Sequence, residues 1–103
     1  MLNEYHVYIL KCSDNSYYTG VTSNIQNRIN QHNSGYFKSC YTYSRRPIEI
    51  VFIQSYFSIL EAISYEKKIK RWSRKKKEAL IEERWEDLIK YAKNYTEFGK
   101  PHD

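Results

Sequence analysis

Tyr8 and Tyr18 lie in two apolar runs, "HVYIL" and "YYTGVT", separated by "KCSDNS". A phenol can donate a proton or, once ionised, accept one, so two of them at one point would serve proton transfer or grip an anion. Tyr18 and Gly20 alternate onto the same strand face. A glycine there leaves an open patch beside the ring, where a ligand or another backbone can come close. An even loop centred between Asp14 and Asn15 would pair Tyr8 with Val21 and put the tyrosines on opposite faces. An odd loop or a bulge would unite them. The plainer reading is two strand aromatics filling a thin core.

Arg28 and His32 are i, i+4 neighbours on a helical pattern, beside the apolar ridge of Ile25 and Ile29. At the edge of a packed face, Arg28 could clamp a phosphate with its fork of donors. The competing reading is a solvated charge beside a surface histidine. Glu66 falls inside the stripe Ala62, Tyr65, Ile69, where an unpaired carboxylate is costly. Two partners satisfy it: Lys70 at i+4, or a divalent metal, since one carboxylate with water and phosphates is an ordinary way to hold Mg²⁺.

Positive charge is concentrated. Residues 66–77, "EKKIKRWSRKKK", carry eight basic side chains and one acidic, against five and four in residues 1–65 and four and seven in residues 78–103. Lys67, Lys68, Lys70, Arg71, Arg74, Lys75, Lys76 and Lys77, with Arg45 and Arg46 upstream, would neutralise phosphates whatever the base sequence. A merely solubilising face does not need that density.

The elements that must position these groups are a hairpin, helices and a further strand. Tyr5 to Lys11 and Tyr17 to Thr22 read as antiparallel strands around an Asp-Asn turn. "TSNIQNRINQHNSG" reads as a helix, with Ser23 and Gln26 as a capping box and Gly35 as its stop. "YFKSCYTYSRRP" has no period and reads as a loop. Ile48 to Ser55, apolar on both faces, reads as a central strand. Ser58 and Glu61 form a second capping box, and Ser73 a break and a new cap. "KKKEALIEERWEDLIKYAK" reads as one helix with Ile81, Trp85, Leu88 and Ala92 on one stripe. The sum is a small α/β domain with a three-stranded, mainly antiparallel sheet flanked by helices and a helical C-terminal half.

At 103 residues, 41% hydrophobic and 28% charged, the chain suits one small globular domain rather than a disordered segment. It is expected over residues 1–95, with a flexible tail at 96–103. Cys12 and Cys40 are too few for a disulfide framework and lack metal-site spacing, so they read as free thiols in a reducing compartment. No apolar run can cross a membrane, and "MLNEYH" is not a signal peptide. A cytoplasmic location, without membrane association, follows as the expectation.

In their order, "HVYIL…YYTGVTSNIQNRINQHNSG", "YTYSRRPIEIVF" and "EAISYEKKIKRWSRKKKEALI" resemble the GIY-YIG nuclease domain. The likeness is to its small stand-alone bacterial branch, related to the N-terminal nuclease domain of the excision-repair protein UvrC. Nine residues separate Tyr8 from Tyr18, and Arg28 follows Tyr18 by ten. The resemblance implies a metal-dependent endonuclease that hydrolyses DNA phosphodiester bonds, by single-strand nicking of structured or damaged DNA, as in DNA repair. The other implied reading is a nucleic-acid-binding module that keeps the fold without cutting. By resemblance, Tyr8, Tyr18, Arg28 and His32 are catalytic, Glu66 holds one Mg²⁺ or Mn²⁺, and Gly20 is structural. A tyrosine would help deprotonate the attacking water, with Arg28 and the metal lowering its pKa. That role calls for the odd loop that unites Tyr8 with Tyr18. The partner is DNA, with RNA admissible, and a targeting protein is a further expected partner of a monomer or weak dimer. His6, Thr19 and Asn27 depart from the family pattern. "LIEERWEDL" runs straight on where relatives carry a Gly-Asn-Pro-like break, and the asparagine that completes some sites has no counterpart.

Overall fold

In the computed structural model, residues 3–98 are described. The chain groups into two compact units, residues 1–70 and 71–103. The first contains β1 (Tyr5–Lys11), β2 (Tyr17–Thr22), α1 (Ile25–Ser34), a single 3₁₀ turn (Tyr43–Arg45), β3 (Glu49–Tyr56) and α2 (Ile59–Lys70). The second contains α3 (Arg74–Ile81) and α4 (Trp85–Phe98). Of the tail expected at 96–103, residues 96–98 fall within α4 and the rest lie outside the described residues.

The sheet is antiparallel throughout, in the order β2-β1-β3. The strand expected to be central, β3, is an edge strand. It is apolar but only half covered, with Ile53 46% exposed, whereas Val7, Tyr8, Ile9 and Leu10 of β1 are fully buried. An apolar run alone reports neither covered faces nor neighbours on both edges, and here it is β1 that has both.

The hairpin loop is odd. Lys11 pairs with Tyr17, and Cys12 N–H donates to Ser16 C=O at 2.8 Å, leaving Ser13, Asp14 and Asn15 as the turn. Asn15 takes the left-handed conformation (φ 69°) that closes such three-residue loops, and Asp14 Oδ1 accepts from the Ser16 N–H at 3.0 Å. An odd loop flips the register relative to an even one, and it puts Tyr8 and Tyr18 on the same face.

α1 starts one residue later than expected. Asn24, not Ser23, is its cap, with Oδ1 accepting from Asn27 N–H at 3.0 Å, and Gln26 reaches forward to Asn30 instead of closing a box. Gly35 ends it in the left-handed conformation (φ 79°). Ile25 and Ile29 pack with Tyr8, Leu10, Cys12 and Ile48, so α1 covers the tyrosine face of the sheet. Both isoleucines are partly buried, so each contributes less than full burial would, which is about 1.5–3 kcal/mol. Ser58 precedes α2, its Oγ accepting the Glu61 N–H at 3.3 Å, and the helix lies against all three strands.

In the second unit Ser73 caps α3, its hydroxyl accepting from Lys76 N–H at 3.2 Å. The single helix expected from residue 75 onward breaks at Glu82–Arg84. Glu83 sits at φ 56°, its N–H donates to Leu80 C=O, and Arg84 N–H donates to Ala79 C=O. This paired closure is the one glycine usually makes. Arg84 then holds the corner through Glu82 and Asp87. The interruption takes Trp85 off the expected stripe and leaves it 53% exposed. Among the described residues no helix is long and apolar enough to cross a membrane.

Candidate active site

The β1–β2 register sets Tyr8 directly opposite Gly20, and Leu10 opposite Tyr18. A Cβ on residue 20 would stand 2.5 Å from Tyr8 Cζ and would overlap the hydroxyl. The patch expected to lie open beside Tyr18 is thus filled by the Tyr8 ring. What the glycine admits is a side chain from the neighbouring strand, not a vacant space.

That ring is fully buried, and its hydroxyl lies 3.0 Å from Nε2 of His32, itself 2% exposed. Nδ1 of His32 lies 2.9 Å from Oγ1 of Thr42. The imidazole is not a surface group: one turn after Ile29 and two after Ile25, it turns in toward the sheet. The Tyr18 ring meets its edge at 5.3 Å between centroids, and Phe37 flanks it at 5.2 Å. The Arg28 guanidinium stands 5.4 Å from the Phe37 centroid and acts on the Tyr8 phenol by hydrogen bond and charge. Tyr8, Tyr18, Arg28 and His32 are therefore brought together, with Arg28 and Tyr18 half-buried above Tyr8 and His32.

The electrostatics hold this cluster in one protonation state. Burial pushes the Tyr8 phenol above its usual range, against the hydrogen bond and positive charge of Arg28. Tyr18 is also pushed up, by burial and by its hydrogen bond to Cys40. His32 is pushed down, by burial and then by the Arg28 charge. At neutral pH both phenols keep their protons and the imidazole is neutral. The expected lowering of a tyrosine pKa is not seen: Arg28 works in that direction on Tyr8, but desolvation of a phenolate outweighs one cation and the net shift is upward.

Glu66 is 8% exposed, between the fully buried Ala62 and Ile69. Its Oε2 lies 2.7 Å from Lys70 Nζ, which supplies the i+4 partner. Among the described residues no three His, Cys, Asp or Glu side chains cluster as a metal cage. A lone carboxylate does not fit zinc, which takes four ligands, most of them protein side chains. It does fit a Mg²⁺-type ion that keeps its waters and takes phosphate oxygens, once the largely exposed Lys70 swings aside.

The cations divide by helix position. Lys67, Lys68 and Lys70 occupy the last turn of α2, where the helix dipole favours them. Arg74, Lys75, Lys76 and Lys77 open α3, which has no acidic residue in its first turn. There the dipole opposes them by about 0.3–1 kcal/mol each. Arg74 is paired with Glu78 at 2.9 Å, Lys76 lies 4.3 Å from the Trp72 ring centre, and Lys75 lies 5.2 Å from that of Tyr91. Arg71 is exposed. Arg45 and Arg46 fasten the 36–47 loop. Arg45 bonds Asp14 at 3.0 Å and the Tyr41 carbonyl at 2.9 Å with its plane 3.7 Å from the Tyr41 ring centre, and Arg46 bonds the Tyr43 carbonyl at 2.8 Å.

Thr42, Cys40, Phe37 and Tyr41 were not visible as site residues. They sit in the loop without a period, and only a structure shows that it folds back onto His32. Thr42 is 1% exposed, and Tyr41 stacks on Tyr18 at 6.5 Å.

Residues 4–79 match the family described as the GIY-YIG catalytic domain. A UPF0213 protein of Staphylococcus haemolyticus is 46% identical over 81 residues, 79% of this chain and 98% of that protein. One from Syntrophus aciditrophicus is 42% identical over 82 residues, 80% of this chain and 94% of that protein. Among solved structures, the UPF0213 protein of Bacillus halodurans is 40% identical, with TM-score 0.51, over 77% of this chain and 83% of its own. A protein of E. faecalis is 32% identical, with TM-score 0.55, over 80% and 88%.

Proposed function

The chain belongs to the GIY-YIG family, and from that premise we propose that it is a metal-dependent endonuclease that nicks one strand of structured or damaged DNA. Family membership points to a nuclease and to nucleic-acid binding. The activity, its substrate and the residue roles are our reading. The family match, residues 4–79, runs through the first unit and into the start of the second, and we read residues 1–95 as one working domain.

The observation that carries this reading is the 3.0 Å contact between the Tyr8 hydroxyl and a depressed-pKa His32. A phenol with a raised pKa is a poor base alone. Bonded to a neutral imidazole, it can pass its own proton to Nε2 while its oxygen takes one from the attacking water. Tyr8 ends as it began, and the proton rests on His32. Because Tyr8 is fully buried, the step requires a DNA-bound form in which water reaches the phenolic oxygen. Arg28 would stabilise the charge growing on the phosphate, and the protonated Tyr18 would donate to it. Glu66 would hold one Mg²⁺ or Mn²⁺, which when bound supplies a Lewis acid to the phosphate oxygens. Lys67, Lys68, Lys70, Arg71, the α3 cations, Arg45 and Arg46 would add affinity for the backbone.

A second reading, a DNA-binding module that does not cut, is favoured by the Lys70–Glu66 pair, which already satisfies the carboxylate. Nicking of supercoiled plasmid and branched DNA with Mg²⁺ or Mn²⁺ separates the two. Wild type, Glu66→Ala and Arg28→Ala are compared, with binding followed in parallel. Cutting lost in both variants with binding retained supports the enzyme. Binding without cutting by wild type leaves the module.

A further inference from the structure

Thr42 has one hydroxyl hydrogen and two neighbours. Its Oγ1 lies 2.9 Å from His32 Nδ1 and 3.5 Å from Cys40 Sγ, toward which it donates. At 1% exposure it has no water to substitute for either. With its hydrogen turned to the sulfur, Oγ1 offers the imidazole only lone pairs. An acceptor at that place calls for a hydrogen on Nδ1. A neutral imidazole carries one N–H, so Nε2 is bare. Nε2 is the nitrogen that faces the Tyr8 oxygen at 3.0 Å.

We infer that Thr42 is a positioning residue: it fixes the His32 tautomer in which Nε2 can take the Tyr8 proton, and Cys40 keeps the Thr42 hydrogen turned away from the ring. The opposite tautomer would put Nε2–H against Tyr8 and leave its proton nowhere to go. Burial works to raise the Cys40 thiol pKa but is outweighed by hydrogen bonds from Thr42 and Tyr18, so the sulfur suits the acceptor role. Cys40 thereby touches both arms of the cluster, Tyr18 directly and Tyr8 through Thr42 and His32.

The catalytic importance of this device rests on the Tyr8–His32 reading above, but the tautomer itself does not, and the test separates them. The ring nitrogens of His32 are followed by ¹⁵N NMR at pH 7.5 in the full chain, beside single-turnover nicking with Mg²⁺ and DNA binding. Wild type is expected to show Nδ1 protonated and Nε2 bare. Thr42→Ser keeps that pattern and nicks within about three-fold of wild type. Thr42→Val loses it and nicks about 10- to 100-fold more slowly with binding unchanged, the scale seen when an orienting partner of a histidine is removed. Wild type with Nε2 protonated, or a folded Thr42→Val with the wild-type pattern, overturns the inference. If Thr42→Val does not fold, Cys40→Ala asks the same question, since it frees the Thr42 hydrogen. A population of Nε2–H is then expected, and an unchanged pattern overturns it. Should wild type cut no DNA while the ring nitrogens behave as stated, the nuclease reading falls and the Thr42 assignment stands.

Discussion

Tyr8, His32 and Thr42 hold one another at hydrogen-bond distance inside the first unit, while the cations of residues 67–77 stand mostly at the surface. In the first region removing any one polar group leaves a buried partner unsatisfied, and the geometry is fixed by the same contacts that stabilise the fold. In the second each side chain adds a charge that water and salt already screen, and none depends on a single angle. The α3 cations go further, since they stand against their own helix dipole. Such a placement works against the helix, is offset in part by the Glu78, Trp72 and Tyr91 contacts, and would be offset further by an arriving anion. Reactivity and affinity are thus built by different means. The first is lost to one atom, and the second erodes charge by charge.

The sharpest break in this contrast comes from Tyr8→Phe, which removes one oxygen from the core. Nicking is expected to fall by about 10²- to 10⁴-fold, with DNA affinity unchanged. Activity near wild type would place the proton acceptor elsewhere. Next is Gly20→Ala, whose Cβ displaces the Tyr8 ring. A loss of about 1–3 kcal/mol in urea unfolding is expected, with activity falling alongside.

A third test uses pH. His32 has a lowered pKa in the folded state, so the unfolded chain takes up its proton first as pH falls. Stability should be full above about pH 6.5, the ordinary histidine value, and decline below it until the folded pKa is passed. Unfolding midpoints at pH 7.5 and pH 5.5 should therefore differ less in His32→Gln than in wild type. The same protonation removes the acceptor for Tyr8, so nicking should rise with pH through the folded pKa of His32 and then level.

The exposed region should answer more weakly and with opposite signs. Lys76→Glu places a carboxylate three residues after the Ser73 cap, where it completes a capping box and agrees with the dipole. It gives up the contact with Trp72, and a gain of about 0.5 kcal/mol in unfolding stability is expected. Binding to DNA should weaken, with a salt dependence shallower by about one phosphate contact. A variant that is less stable and binds as before would show that the α3 cations serve the fold.

How much of this was legible varies with how local the cause is. The two strands of the hairpin, α1 with its Gly35 stop and the Ser73 cap follow from spacing and residue type. Glu83 shows the limit: it makes the same left-handed closure as Gly35, but with a side chain that announces nothing. Its break is set by the Arg84 pairs with Glu82 and Asp87 and by the packing of α3 on α4. The edge position of β3 was hidden for a similar reason, since strand order is decided by partners far along the chain. In the site, Tyr8, Tyr18, Arg28 and His32 were found by their order and type, and the structure gathers them. That Tyr8 fills the Gly20 gap, and that Thr42 reaches His32, required the register and the fold of an aperiodic loop.

The Tyr8 ring lies on the bare backbone of Gly20 with no room for a single added carbon. Such a ring is expected to turn over about its own axis only as the neighbouring strand draws back. Its rotation is therefore a clock for the breathing of the β1–β2 pair. The two sides of the ring will give separate resonances while the strands stay closed and will merge as they begin to part. The frequency of that merging sets an upper limit on how often water can reach the phenol from the Gly20 side.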